Sequence, residues 1–363
     1  MDQKELKLIV SQFEIEGDVV DIKPLGNGLI NTTYKVTTRS DKTPDYVLQH
    51  INNSIFPDVE MLMDNIMAVT THIRRKYECA GVTDIERKVL RFIPTNEGDY
   101  FFLYDKQYWR LMVYIPDTIT QTAVTPETSR IVGETFGNFQ AMLADIPVKL
   151  GDTIKDFHNM EFRLSQLREA VTDNKAGRLN EVKGLVEELE KRADEMCKGE
   201  RLHREGKLPK RICHCDTKVD NILFDKDGSV LCVIDLDTVM PNFIFSDFGD
   251  FLRSAANTGK EDDKNLDNVN FNMDIFRAFT EGYLKSARCF LTPIEIENLP
   301  FAATLFPYMQ TVRFLADYLN GDTYYKILYP EHNLVRSKAQ FKLLQSAEEH
   351  MPEMKAFIEK QLA

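Results

Sequence analysis

The spacing of apolar residues changes partway along the chain. After a short amphipathic start, with Leu6, Ile9, Val10 and Phe13 near helical spacing, the region to about Ile115 is built of short β-branched or aromatic runs. They are DVVDIKPL, TTYKVTT, DYVLQHI, RKVLRFI, YFFLY and YWRLMVYI, separated by Gly, Asn, Asp or Pro, and each is expected as a strand. Runs joined by few residues must pair antiparallel, because a parallel crossover needs about a dozen residues or more. One helix is expected between the third and fourth runs, opened by FPD and carrying Val59, Leu62, Met63, Ile66 and Val69.

Beyond IPDTIT the helical period takes over. Ile131, Val132, Phe136, Phe139 and Leu143 recur at helical spacing, as do Val182, Leu185, Val186 and Leu189, and the stretches 271–284 and 311–319 read as helices too. Only NILFDKDGSVLCVIDLD interrupts, as a hairpin with Asp227-Gly228 at its turn. Strands first and helices second predict an α+β chain of two lobes. The N-terminal lobe, residues 1–116, holds the antiparallel sheet and one helix; the larger, mostly helical lobe spans 117–363.

Composition narrows the function. With 43% hydrophobic and 28% charged residues among 363, the chain has an ordinary globular make-up. Its 57 acidic against 45 basic residues, net charge −12, argue against a nucleic-acid partner, which needs a basic surface. No apolar run approaches the roughly 20 residues that span a bilayer, and MDQKELKLIVSQF lacks the apolar core of a secretion signal. A cytoplasmic protein without a membrane partner is expected, of unspecified oligomeric state. The six cysteines, at 79, 197, 213, 215, 232 and 289, show no paired framework and suit a reducing compartment as small core residues.

The candidate chemistry lies in CHCDTKVDNILF, residues 213–224. His214-x-Asp216 followed five residues later by Asn221 has the spacing of a kinase catalytic loop, in which the Asp accepts a hydroxyl proton and the Asn holds magnesium. Lys218 could stabilise charge at the transferring phosphoryl group, or be a solvated surface lysine. The strand VLCVIDLD then delivers Asp235 and Asp237 to a cleft edge, hard oxygen ligands of the kind that suit Mg²⁺. A literal Asp-Phe-Gly at 247–249 sits a dozen residues too late to be the metal carboxylate; Asp247 is expected to hydrogen-bond the catalytic-loop backbone from a following helix. The competing zinc reading of Cys213, His214, Cys215 and Asp216 is weak. Adjacent residues in an extended segment point to opposite faces, and no second Cys/His pair complements them. Cys213 and Cys215 are expected to share a buried face, and His214 and Asp216 the reacting one. Upstream, Gly26-x-Gly28 is followed by the strand-like NTTYKV rather than by a helix. That is the kinase arrangement more than the dinucleotide one, with an ordinary hairpin turn as the alternative.

Together these residues resemble the aminoglycoside phosphotransferase and choline kinase superfamily, whose members share the bilobal protein-kinase-like fold. GNGLINTTYKV, YVLQHINNSIFPDVEMLM, DTKVDNILF, IDLDTVMPNFIFSDFGDFLR, RFLADYLNGDTYY and YPEHNLVR are similar to segments of its bacterial N-acetylhexosamine 1-kinases, from about residue 10 to 345. The resemblance implies ATP and Mg²⁺ as cofactors and phosphorylation of the anomeric hydroxyl of N-acetylglucosamine or N-acetylgalactosamine. It implies Asp216 as base, with Asn221 and Asp235 as metal ligands. Gly26, Gly28, Asn31 and Thr32 would form the nucleotide loop, and Met112, Val113 and Tyr114 the hinge strand beside adenine. Arg313, Tyr324 and Asp237 would face the sugar. Read from the residues alone, Arg313 and Asp317 could instead be a simple i,i+4 helix pair.

Two positions depart from pattern. Gln49 stands at the nucleotide where kinases place a third-strand Lys, so Mg²⁺, loop backbone and Lys218 must neutralise the phosphates. Leu29 is apolar where a polar side chain is expected, which bears on sugar preference. The alternatives are a kinase of the same superfamily for an aminoglycoside, choline or homoserine, and a nucleotide-binding protein without catalysis.

Overall fold

The strand-like runs assemble into one antiparallel sheet. Its strands are β1 (Val19–Pro24), β2 (Thr32–Thr38), β3 (Tyr46–Ile51), β4 (Phe92–Ile93), β5 (Phe102–Tyr104) and β6 (Gln107–Val113). Their order is β1-β2-β3-β6-β4, with β5 added to β6. The computed structural model describes residues 1–26 and 30–362.

Alternation along β3 and β6 decides the two faces of this sheet. Leu48, Trp109 and Leu111 bury against Leu6, Ile9 and Val10 of α1 (Gln3–Val10). On the other face Gln49 lies opposite Arg110 in register, with Thr33 of β2 on Gln49's other side. The expected helix is α2 (Val59–Cys79), N-capped by Asp58, whose carboxylate accepts from the Met61 N–H at 3.0 Å.

One run behaves differently from its composition. In RKVLRFI only Phe92 and Ile93 pair, while Ile85–Arg87 coil into a 3₁₀ turn. Arg87 leaves the sheet to bond Asp225 at 2.9 Å and the Pro116 carbonyl at 3.2 Å, anchoring the later hairpin. That hairpin runs through Ile222–Asp225 and Val230–Val233, with Gly228 at φ +85° in the turn, a value glycine accepts without steric cost.

The chain divides into two compact units, each discontinuous in sequence. The first comprises Met1–Gln121, Asp145–Lys155 and Asp220–Met240, so the hairpin with Asn221 and Asp235 belongs to it. The helices of the second are α3 (Pro126–Leu143), α4 (Met160–Asp173), α5 (Leu179–Met196), α6 (Lys198–Arg204), α7 (Phe245–Ala255), α8 (Met273–Ala287), α9 (Pro293–Glu297), α10 (Leu299–Asn320), α11 (His332–Glu349) and α12 (Met351–Leu362). α10, expected only over 311–319, is apolar nearly all round and buried along its length, so periodicity could not reveal its first half.

Glycines set two of the helix spacings. A Cβ on Gly282 of α8 would lie 2.0 Å from the Arg130 carbonyl oxygen of α3, and one on Gly133 would lie 2.2 Å from that of Phe279. Only residues without a Cβ let these backbones approach so closely. Gly249, the glycine of the literal Asp-Phe-Gly, does the same between α7 and α10, where a Cβ would meet the Ala302 oxygen at 2.5 Å.

Candidate active site

The catalytic-loop candidate is held by its backbone. The Asp247 carboxylate on α7 accepts the successive N–H groups of His214 (2.9 Å) and Cys215 (2.7 Å), and the Thr217 hydroxyl donates to the Asp247 carbonyl at 2.7 Å. Cys215 takes a left-handed conformation, φ +63°. Successive N–H groups around a left-handed residue form a concavity that suits an anion, and here the anion is Asp247. Burial pushes the Asp247 pKa up, against the pull of His214 and of the two N–H donors. Gln140 of α3 donates to Oδ2, the oxygen that also accepts the His214 N–H, at 2.7 Å, and accepts from the Tyr283 hydroxyl of α8 at 2.5 Å. The glycine seam between α3 and α8 thus brings Tyr283 within reach of a chain that ends on the loop. Asp247 has the supporting role expected of it; Gln140 and Tyr283 carried no signal in the sequence.

The left-handed step also corrects one expectation. His214 does not share a face with Asp216: its ring is fully buried, edge-on to Phe136 (5.2 Å) and Phe139 (5.8 Å). Strand geometry ends at Cys213, so strict alternation no longer applies. Both neighbouring thiols are buried. Cys213 Sγ points at the Phe243 carbonyl, 3.4 Å, and Cys215 Sγ receives Asn242 Nδ2 at 3.7 Å. Burial, reinforced by the Asp247 charge, raises both thiol pKa values well above the usual range, which leaves the thiols protonated and inert.

Asp216 itself is partly exposed and pairs with Lys218 Nζ at 2.6 Å. Burial works to lower the Lys218 pKa, but Asp216 and Asp250 outweigh it and the net shift is upward. Asp250 accepts the Thr217 N–H at 3.2 Å and lies 3.6 Å from Arg253. Burial and the Asp216 charge push Asp250 up to about 6, opposed by Arg253 and Lys218.

In the first unit, the Ile234 N–H donates to the Asn221 carbonyl at 2.9 Å, which sets Asn221 beside the turn that begins at Asp235. Asp235 is left-handed, φ +59°, a conformation that costs an ordinary residue about 1–2 kcal/mol and is tolerated best by Asn and Asp. An amide and a carboxylate brought together in this way offer hard oxygen donors, a chemistry that fits Mg²⁺ and not a soft metal. Among the described residues no group of three or more His, Cys, Asp and Glu could hold a metal. A cation here would complete its shell with phosphate oxygens and water.

Asp237 requires a second correction. Expected against the sugar, it is 2% exposed: Oδ1 forms an ion pair with Arg110 at 2.6 Å, without hydrogen-bond alignment, and Oδ2 accepts from Asn31 Nδ2 at 2.6 Å. It ties the sheet to the turn that begins at Asp235. Asn31 Oδ1 accepts the Asn52 N–H at 3.0 Å, tying the start of β2 to the end of β3. Gly26 has φ +70°, Thr32 opens β2, and Gly28 and Leu29 lie outside the described residues. Gln49 accepts from Arg110 Nε (3.0 Å) and Nη2 (2.8 Å) and donates to Thr33 at 3.1 Å.

Met112 and Val113 close β6, opposite Val47 and Tyr46. The Val113 and Tyr114 N–H groups are already spent on the carbonyls of Arg91 and Asp45, each at 2.9 Å, so this strand can offer a base carbonyl oxygens and side chains.

In the second unit, Arg313 does not pair with Asp317. Asp317 takes the N–H groups of Thr323 (2.9 Å), Tyr324 (2.8 Å) and Tyr325 (2.9 Å), and Asn333 besides. Arg313 bonds Gln310 at 3.3 Å and covers the rings of Phe157 (5.7 Å) and Tyr325 (5.6 Å). Tyr324 is 70% exposed, with its ring against Tyr325 at 4.8 Å. Arg163 donates twice to the Phe157 carbonyl, at 2.7 and 3.1 Å. Burial, then the nearby Arg313 charge, lowers its pKa to about 10. His158, stacked on Phe157, is held neutral by burial and by Arg313, Arg163 and Arg253. Phe157, Arg163 and Tyr325 were not singled out from sequence, although Tyr325 adjoins a residue that was.

A unit built on an antiparallel sheet, and a helical unit that pins a His-x-Asp loop through a following helix, define a small-molecule phosphotransferase of protein-kinase-like architecture. The chain belongs to the phosphotransferase enzyme family, whose sequence model matches residues 21–283. Among solved structures it is similar to an aminoglycoside phosphotransferase from Alicyclobacillus acidocaldarius, 13% identical, covering 98% of this chain and 96% of that one with a TM-score of 0.64. Spectinomycin phosphotransferase in complex with ADP and spectinomycin is 14% identical, with coverage of 97% and 99% and a TM-score of 0.58. Choline kinase from Cryptosporidium parvum is also 14% identical, with 97% coverage of each chain and a TM-score of 0.58. At these identities the likeness is one of fold.

Proposed function

We propose that this phosphotransferase is an ATP- and Mg²⁺-dependent kinase of N-acetylhexosamines, acting on the anomeric hydroxyl. The observation that carries the kinase reading is the catalytic loop itself: Asp216 emerges from a backbone fixed by Asp247, and Asn221 follows five residues later beside the Asp235 turn. Asp216 orients the sugar hydroxyl and takes its proton as the phosphoryl group is transferred. Lys218 pairs with Asp216 and offsets charge at the reacting oxygens. Asn221 and Asp235 hold Mg²⁺, which when bound with ATP supplies the charge neutralisation that phosphoryl transfer needs.

The acceptor side supports a neutral, oxygen-rich substrate. Arg313 and Arg163 sit among aromatic rings, and among the described residues no carboxylate lies within ion-pair distance of either. Guanidinium groups donate to hydroxyl and acetamido oxygens, and rings cover the apolar face of a sugar. The same two charges repel choline, ethanolamine or a polyamine-like aminoglycoside, which disfavours the cationic acceptors of the superfamily.

Replacing Asp216 with Asn is expected to lower kcat on the order of 10²–10⁴-fold while nucleotide binding and urea unfolding stay as they are. N-acetylglucosamine or N-acetylgalactosamine should stimulate ADP release, and their C1-blocked methyl glycosides, choline and kanamycin should not. A blocked sugar that remained a good acceptor would reject anomeric phosphorylation, and an active Asp216→Asn enzyme would reject the base assignment.

A further inference from the structure

The missing third-strand lysine leaves a question about charge that the buried face of the sheet answers. Gln49 replaces the lysine, yet a cation stands directly opposite it in register: Arg110, on β6, is 2% exposed. Every nitrogen of its guanidinium has a partner. Nε and Nη2 converge on Gln49 Oε1, and Nη1 meets Asp237 Oδ1 at 2.6 Å and the Met63 sulfur at 3.9 Å. Its plane also lies 5.7 Å from the Phe92 ring. A guanidinium so enclosed cannot reach out to a phosphate without abandoning Asp237, whose charge would then be buried alone at a large cost.

We infer that Arg110 is a positioning residue for the metal carboxylate: it fixes Asp237, and through the one-turn 3₁₀ segment 236–238 sets the orientation of Asp235. The inference rests on the assignment of Asp235 to Mg²⁺ made above. Asp235 is in a left-handed conformation that needs outside support, and the nearest downstream side chain with rigid anchors is Asp237, held by Arg110 on one oxygen and Asn31 on the other. The kinase lysine touches phosphate directly; Arg110 acts one step back, on the protein's own carboxylate. Phosphate neutralisation then falls chiefly on the metal, so nucleotide affinity should depend steeply on divalent cation. Gln49 is part of the same device, because its amide oxygen is what the guanidinium fork requires. A lysine at 49 would set an ammonium against Arg110 in a buried site, so Gln49→Lys should impair the enzyme rather than restore a lost lysine.

The test measures binding to the full-length enzyme with no sugar present, using Mn²⁺ as the metal probe, read by electron paramagnetic resonance, and a non-hydrolysable ATP analogue. Arg110→Lys, which keeps charge but loses the fork, is expected to weaken Mn²⁺ binding to the enzyme–nucleotide complex about tenfold or more. Its affinity for the analogue in EDTA should stay within about twofold. A large loss of analogue affinity in EDTA would mean that Arg110 contacts phosphate, and would overturn the inference. So would unchanged Mn²⁺ affinity with only a lower urea midpoint. Should Arg110→Lys fail to fold, Asp237→Asn takes its place, keeping an oxygen for Arg110; it should weaken Mn²⁺ about threefold or more, and no change overturns the inference. Asp235→Asn separates the two levels. If Mn²⁺ binding survives it, the metal assignment itself fails; if it is lost there but not in Arg110→Lys, only the positioning role fails.

Discussion

The loop at 213–217 and the turn at 235–238 each deliver a carboxylate from left-handed backbone, at Cys215 and at Asp235, yet they are secured in opposite ways. The catalytic loop is gripped through its main chain, by an Asp247 carboxylate that accepts two successive N–H groups. The 235–238 turn is gripped through a side chain, Asp237, by Arg110 and Asn31. A main-chain grip is indifferent to which side chains the loop bears, provided they fit. A side-chain grip fails with one substitution. The 213–217 loop is therefore the more tolerant of sequence change, and the 235–238 turn the more brittle.

The contrast is broken most severely by Asp237→Ala, which strands Arg110 as an unpaired buried charge. We expect a loss of about 3–5 kcal/mol in urea unfolding, with most of it recovered when Arg110→Met is added. Asp247→Asn should cost less, about 1–3 kcal/mol, since the amide retains one acceptor while one of the gripped donors loses its partner. Its kcat should fall more than its nucleotide affinity, because the loop that presents Asp216 loosens while the 235–238 turn does not; equal losses in both would show that the two grips are not independent.

The smallest effect sharpens the comparison through pH. Asp250 titrates near 6 in the folded chain against 3.8 for an ordinary carboxyl, so folding disfavours its ionised form. Its favourable contribution is complete below about pH 4 and is lost as pH rises through 6. Asp250→Asn should therefore raise stability at pH 8 by an amount of order 1–3 kcal/mol, seen as a Tm a few degrees higher, and leave it unchanged below pH 4. A destabilised variant at pH 8 would mean that the Arg253 and Lys218 pairings outweigh burial.

Much of this was legible in the chain. Alternation in YVLQHI and YWRLMVYI located β3 and β6, and the Asp-Gly turn located the hairpin. Asp247 could be separated from a metal role because it arrives too late and on a helix. What escaped depends on partners far apart in sequence. Arg110 was visible only as a charge inside an apolar strand, and its meaning needs Gln49 and Asp237, 61 residues before it and 127 after. Gln140 and Tyr283 meet across a seam of glycines that no period encodes. His214 was placed on the wrong face because a single left-handed residue ends alternation, and RKVLRFI was overestimated because Arg87 is claimed by Asp225.

The three N–H groups hung on Asp317 have a consequence for how such an enzyme changes its choice of acceptor. Because Asp317 holds residues 324 and 325 through their main-chain N–H groups, the side chains there can be exchanged without unhooking the segment. The aromatic cover of the proposed acceptor site is thus a replaceable cassette on a fixed hanger. Saturation mutagenesis of this pair is a direct route to new acceptors, whether drawn by selection in nature or in the laboratory.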